Sequence, residues 1–302
     1  MRWRPSGSIQ VEDRRGAGGG GGLGGLGMGG LGGGGIPIPV GGGIGGIVLL
    51  IIIVVVLNLF GGGGTVPSGG LQGAPGGAIA SLDPKDNELQ FVNAVTVDVQ
   101  TFWGEQFSAT GKDYPETVTV LFTDQYQSGC GVASSSTGPF YCPNDQKVYL
   151  DTAFFDELSN RFGAPGDFAQ AYVIAHEFGH HVQDALGTMD QVATQQQSDP
   201  NSANELSIRL ELQADCYAGV WAHSVWASPD QANVESITDA DVKEAIDAAA
   251  AVGDDRIQEQ ATGTIDKESW THGSAAQRST WFTNGFHGGT TDSCDTFAAS
   301  TL

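Results

Sequence analysis

The chain has 302 residues, 46 of them glycine, and a formal net charge of −22. Such acidity repels phosphate backbones, so no nucleic acid is expected as a partner. The length allows one large domain or two small ones.

Residues 1–15 stand apart as a basic start, with Arg2, Arg4, Arg14 and Arg15 set against Glu12 and Asp13. Residues 16–43 are a glycine-rich linker that cannot bury a core. Next comes "IGGIVLLIIIVVVLNLF", residues 44–60, inside a charge-free stretch that runs from Gly16 to Leu82. Its length is near the lower limit for a helix crossing a bilayer, and it reads as a transmembrane anchor. The arginines before it and the acidic domain after it predict a single pass, with the N-terminus cytoplasmic and the domain that follows extracytoplasmic. A cleaved signal peptide is the rival reading, but the small-residue "AIA" at 78–80 lies far beyond the apolar run. Residues 61–81 form a second linker.

Residues 82–302 form the folded domain. Apolar positions from Leu89 to Phe107 follow helical spacing, although their valines are poor helix formers. "TVTVLFT" (117–123) and "KVYLD" (147–151) read as strands. A short helix follows at 152–163, then a long one at 167–186, a polar loop at 187–203 and a helix at 204–223. Thr238 with Asp241, and Ser274 with Gln277, look like capping starts for two further helices, over 239–252 and from 275. One helix followed by short strands and then mostly helices gives an α+β domain, mostly helical with a small β-sheet. The four cysteines lie in this domain. Cys130 and Cys142 flank a short Gly/Ser-rich stretch and are the obvious disulfide pair, which leaves Cys216 with Cys294. No CxxC occurs, which excludes a zinc ribbon of that type.

The chemistry concentrates in "AHEFGHH", residues 175–181, which holds three of the six histidines. On a helix His176 and His180 lie one turn apart on one face and can share a zinc ion. Glu177 can then reach a water activated by that metal and act as general base. His181 is rotated about a hundred degrees from His180 and is structural or supporting. A third ligand is found in "ELQAD": Glu211 can complete a His₂Glu set. Asp215, one turn on, can hydrogen-bond the outer nitrogen of a ligand histidine. The rest of that helix is apolar, so two acids in it need partners. Glu205 and Asp184 are weaker candidates for the ligand. Small residues Ala214 and Ala218 would let the two helices approach closely.

HEFGHH followed by ELQAD resembles a gluzincin-type metallopeptidase. More closely, the chain resembles the bacterial family of putative neutral zinc metallopeptidases. The likeness rests on "MRWRPSGSIQVEDRRG", "CGVASSSTGPFYCPNDQKVYLD", "RFGAPGDFAQAYVIAHEFGHHVQ", "LELQADCYAGVW" and "THGSAAQRSTWF". It implies a zincin-like fold behind a single membrane anchor, with one Zn²⁺ held by His176, His180 and Glu211, and Glu177 catalytic. The glycine tract before the anchor has no counterpart in that resemblance. Amide hydrolysis also needs a donor for the carbonyl oxygen. His272, just before a helix N-terminus, is the first candidate, with Tyr172 and Arg278 behind it; His223 and His287 are structural. The resulting expectation is a membrane-anchored zinc peptidase acting on a peptide or protein substrate. The rival is a zinc-stabilised, membrane-tethered binding or assembly protein that cleaves nothing.

Overall fold

The computed structural model describes residues 1–16, 83, 85–134, 137–230 and 232–302. The expected anchor at 44–60 and the linkers at 16–43 and 61–81, Gly16 apart, lie outside the described residues. Among the described residues no helix is long and apolar enough to cross a membrane.

The fold is mixed α+β, mostly helical with small sheets. A four-stranded sheet joins β2 (Val11–Asp13), β3 (Thr119–Phe122), β7 (Lys147–Asp151) and β6 (Phe140–Cys142) in that order. The β2–β3 and β3–β7 pairs are parallel and the β6–β7 pair antiparallel. A hairpin of β4 (Gln125–Ser128) and β5 (Gly131–Ser134) sits beside it, and β1 (Arg2–Trp3) pairs antiparallel with β8 (Val234–Ser236). Residues 1–15, expected as a separate tail, therefore contribute two short strands, Arg2–Trp3 and Val11–Asp13, to the same domain. Their arginines face acids: Arg2 and Arg4 pair with Glu235, and Arg15 pairs with Asp86 and Glu88.

Eight α-helices are found among the described residues. Helix α1 (Asn87–Ala109) starts with Asp86 accepting from the Leu89 amide. Its valines are tolerated because Val92, Val95 and Val99 are fully buried. A short α2 (Ala153–Asn160) leads to α3 (Asp167–Ala185), the central helix, which packs on α1, α5 (Ala203–Ala227) and α6 (Asp239–Ala251). Residues 187–203, expected as a loop, contain helix α4 (Thr188–Ser198); only Val192 of it is buried, so no apolar period announces it. Helix α7 (Asp254–Thr262) buries no residue and was equally silent in the sequence. Helix α8 (Ala275–Gly288) packs along α5. Thr238/Asp241 and Ser274/Gln277 both form reciprocal capping boxes.

Small residues set the helix spacings that build the site. A Cβ on Gly179 of α3 would stand 3.0 Å from the Cα of Ala214 on α5, so these helices touch backbone to backbone. A Cβ on Gly219 or Gly285 would overlap the carbonyl oxygen of Phe282 or Cys216, so the α5–α8 contact is tighter still. The disulfides pair Cys130 with Cys142 and Cys216 with Cys294, as the sequence suggests. The second ties α5 to the C-terminal segment.

Candidate metal centre

Helix α3 aims His176 and His180 at Glu211 on α5. His176 Nε2 lies 3.2 Å from Glu211 Oε2, and His180 Nε2 lies 3.5 Å from Glu211 Oε1. All three residues are buried, and one ligand atom from each falls within 4.8 Å of the others. The outer nitrogens decide what these atoms can bind. Gln183 uses its Nε2 to donate to the Leu210 carbonyl and to Gln213 Oε1, at 2.7 and 3.1 Å. Its Oε1 therefore faces His180 Nδ1, at 2.9 Å, and that nitrogen carries the proton. Asp215 Oδ1, 2.8 Å from His176 Nδ1, fixes the same tautomer there. Both Nε2 atoms are left with lone pairs pointing at a carboxylate. Three acceptors meet with no donor among them, an arrangement that needs a cation. A His₂Glu set of this kind fits Zn²⁺ and leaves a position open for water or substrate.

In the absence of a metal, a proton on His176 can fill the same role. Burial acts to keep His176 neutral, but the Asp215 and Glu211 carboxylates override it and raise its pKa to about 10. Burial likewise acts to raise Glu211, yet the surrounding histidines hold its carboxyl well below the ordinary value. His176 and Glu211 thus favour positive charge between them.

Behind His176 stands a fully buried cluster. Asp215 accepts from Tyr172 Oη at 2.5 Å, from Arg278 Nε at 2.8 Å and from Arg278 Nη2 at 2.9 Å, besides His176. Burial opposes its charge, but Arg278 first and His176 second bring its carboxyl down to about 2. Tyr172 and Arg278 are spent on this task, so neither is free to serve a substrate oxygen. Glu177 follows His176 on α3. Its side chain makes no hydrogen bond to any described residue, and burial raises its pKa, with the Glu211 charge adding to the effect. A buried carboxylate without a partner, beside a metal set, is placed to take up and release a proton.

His272 reaches the site from the loop before α8. Its Nδ1 is 3.2 Å from Asp254 Oδ1 and 3.0 Å from Thr271 Oγ1. Asp254 Oδ2 also accepts from the backbone amides of Thr271, His272 and Gly273, at 2.8, 2.7 and 3.0 Å, which pins the loop. Burial acts to lower the His272 pKa, but Glu211 and Asp254 outweigh it and raise it. Its Nε2 has no partner among the described residues.

The other candidates lie elsewhere. His181 turns away, with Nε2 2.6 Å from the Pro115 carbonyl and Nδ1 3.1 Å from Tyr141 Oη. Glu205 pairs with Arg209 at the surface, and Asp184 accepts from Tyr141. His223 Nδ1 donates to the Phe286 carbonyl. Sequence reasoning missed Gln183 and Asp254. Gln183 could have been found three residues after His180, on the same helical face. Asp254 lies 18 residues from His272 with no motif joining them.

No solved structure matches the chain. The Escherichia coli K12 protein named "Uncharacterized protein YpfJ" is 40% identical over 306 aligned positions, covering 99% of this chain and all of that one. "Uncharacterized protein Mb2605" of Mycobacterium bovis is 50% identical over 187 positions, 60% of this chain and 62% of that one. The family model described as "Putative neutral zinc metallopeptidase" matches residues 1–297, and the chain belongs to that family.

Proposed function

We propose that the chain is a zinc-dependent peptidase with a zincin-like site, in which His176, His180 and Glu211 hold the metal. The supporting observation is the meeting of two Nε2 lone pairs and a carboxylate with no donor between them, directly beside the unpartnered Glu177. Bound there, zinc would polarise the scissile carbonyl and lower the pKa of a water. Glu177 takes a proton from the attacking water and, once protonated, delivers it to the leaving amine. In its protonated form, which the Glu211 and Asp254 carboxylates favour, His272 donates from Nε2 to the carbonyl oxygen as negative charge builds on it, held in place by Asp254. Asp215 and Gln183 fix the tautomers and ring directions of His176 and His180. The apolar run 44–60 carries the proposed membrane attachment, and the two disulfides support an oxidising compartment for the domain.

Incubating the purified protein with a peptide library, with and without chelator, tests the reading. Chelator-sensitive cleavage is expected; a folded, zinc-loaded protein that cleaves nothing would favour the tethered binding or assembly protein instead. Within the peptidase reading, His272→Ala is expected to lower kcat by roughly 10²–10³-fold, the usual cost of one such donor. Its zinc content should stay unchanged, because no ligand or ligand partner is lost. Steady-state kinetics with parallel metal analysis checks this, and a kcat within threefold of the parent would remove His272 from the chemistry.

A further inference from the structure

The first sixteen residues are built into the catalytic body at several independent points. Strand β1 pairs with β8, and the Arg4 amide extends that pairing by donating to the Asn233 carbonyl at 2.9 Å. Strand β2 forms an edge of the main sheet, with Val11 buried at 3% exposure, and the Arg14 amide donates to the Leu121 carbonyl at 2.7 Å. Between the strands, buried Asn93 of α1 holds the backbone from both sides, accepting from the Gln10 amide and donating to the Ser8 carbonyl, at 2.9 and 2.8 Å. Arg15 then pairs with Asp86 at 2.6 Å and with Glu88 at 2.9 Å. The chain thus departs after Gly16 and resumes at Asp83 from one place on the surface.

Paired strands cannot lie on opposite sides of a bilayer. Separating them would strip β3 of its neighbour and expose Val11, Asn93 and a row of backbone groups. The chain between them must therefore cross a membrane an even number of times or not at all. The apolar run 44–60 has 17 residues, about 26 Å as a helix. A single crossing needs roughly 30 Å of apolar length, so the run is too short for two. We propose that residues 1–16 and 83–302 lie on the same side of the membrane, so that the chain between them does not make a single crossing. This replaces the single pass with a cytoplasmic N-terminus that the arginines suggested. Those arginines are engaged with acids of the folded domain and carry no independent orientation signal. The inference does not depend on the peptidase reading.

Single cysteines report the sidedness of the full-length chain in its own membrane, because all four native cysteines are paired. Ser8→Cys and Pro5→Cys place exposed thiols on the N-terminal arm, and Lys243→Cys places one on α6, where the side chain is 71% exposed. Spheroplasts would be treated with a membrane-impermeant maleimide before and after permeabilisation. The arm and α6 thiols should label together: either both before permeabilisation or both only after it. Labelling of Lys243→Cys in intact spheroplasts, with both arm variants reacting only after permeabilisation, would overturn the proposal.

Discussion

Glu177→Gln should keep the fold and the metal while losing turnover by roughly 10²–10⁴-fold, the range for a general acid–base group. The amide matches the carboxylate in size. Glu177 has no hydrogen-bonded partner to lose among the described residues, and it is not one of the three ligand residues. Its carboxyl already has a raised pKa from burial, so replacing it with a neutral group removes a desolvation cost and leaves packing intact. Only the capacity to accept and return a proton disappears. A binding or assembly protein would feel none of this. Cleavage kinetics on the parent and the variant, with urea midpoints measured in parallel, separate the two cases. Equal kcat at equal stability would show that Glu177 is not the base.

Arg278→Met is the second large effect, and it acts on stability. Arg278 is 4% exposed, and Asp215, fully buried, receives two of its hydrogen bonds. Removing one partner of a buried ion pair leaves the other charge uncompensated, at about 3–5 kcal/mol. That is a large part of the roughly 5–15 kcal/mol that keeps a domain folded. His176 and Tyr172 still donate to Asp215, which places the expectation toward the lower end of the range. Lys243→Met serves as the contrast, since its bridge to Asp247 is exposed on both sides and should contribute under about 1 kcal/mol. Urea unfolding of both variants reads the difference. A loss below about 1 kcal/mol in Arg278→Met would mean that the Asp215 charge does not depend on this arginine.

Much of the site was legible because it sits on two strongly patterned helices. The His176/His180 spacing, the acids of an otherwise apolar α5 and the two capping boxes are local signals, and each maps onto an element within a few residues. What escaped depends on partners distant in the chain. Strands β1 and β2 are two and three residues long, too short for a period, and exist only because β8 and β3 offer edges. Their arginines have a familiar meaning beside an apolar run, and that meaning concealed the acids they pair with. Helices α4 and α7 bury one residue and none, so hydrophobic periodicity could not find them. Asp254 enters the site only because its carboxylate gathers a loop from elsewhere in the sequence. Tyr172 and Arg278 were seen as donors, but their roles were set by an aspartate 43 and 63 residues away.

In the proposed site His176, His180 and Glu211 jointly hold one zinc ion. The most direct test is the zinc stoichiometry and affinity of the parent and of Glu211→Ala, dialysed against the same zinc buffer and read by elemental analysis. One zinc per parent chain is expected, with a Glu211→Ala variant that remains folded but loses the metal at the same free zinc. Full occupancy with unchanged affinity in that variant, or no zinc in the folded parent, would contradict this ligand set.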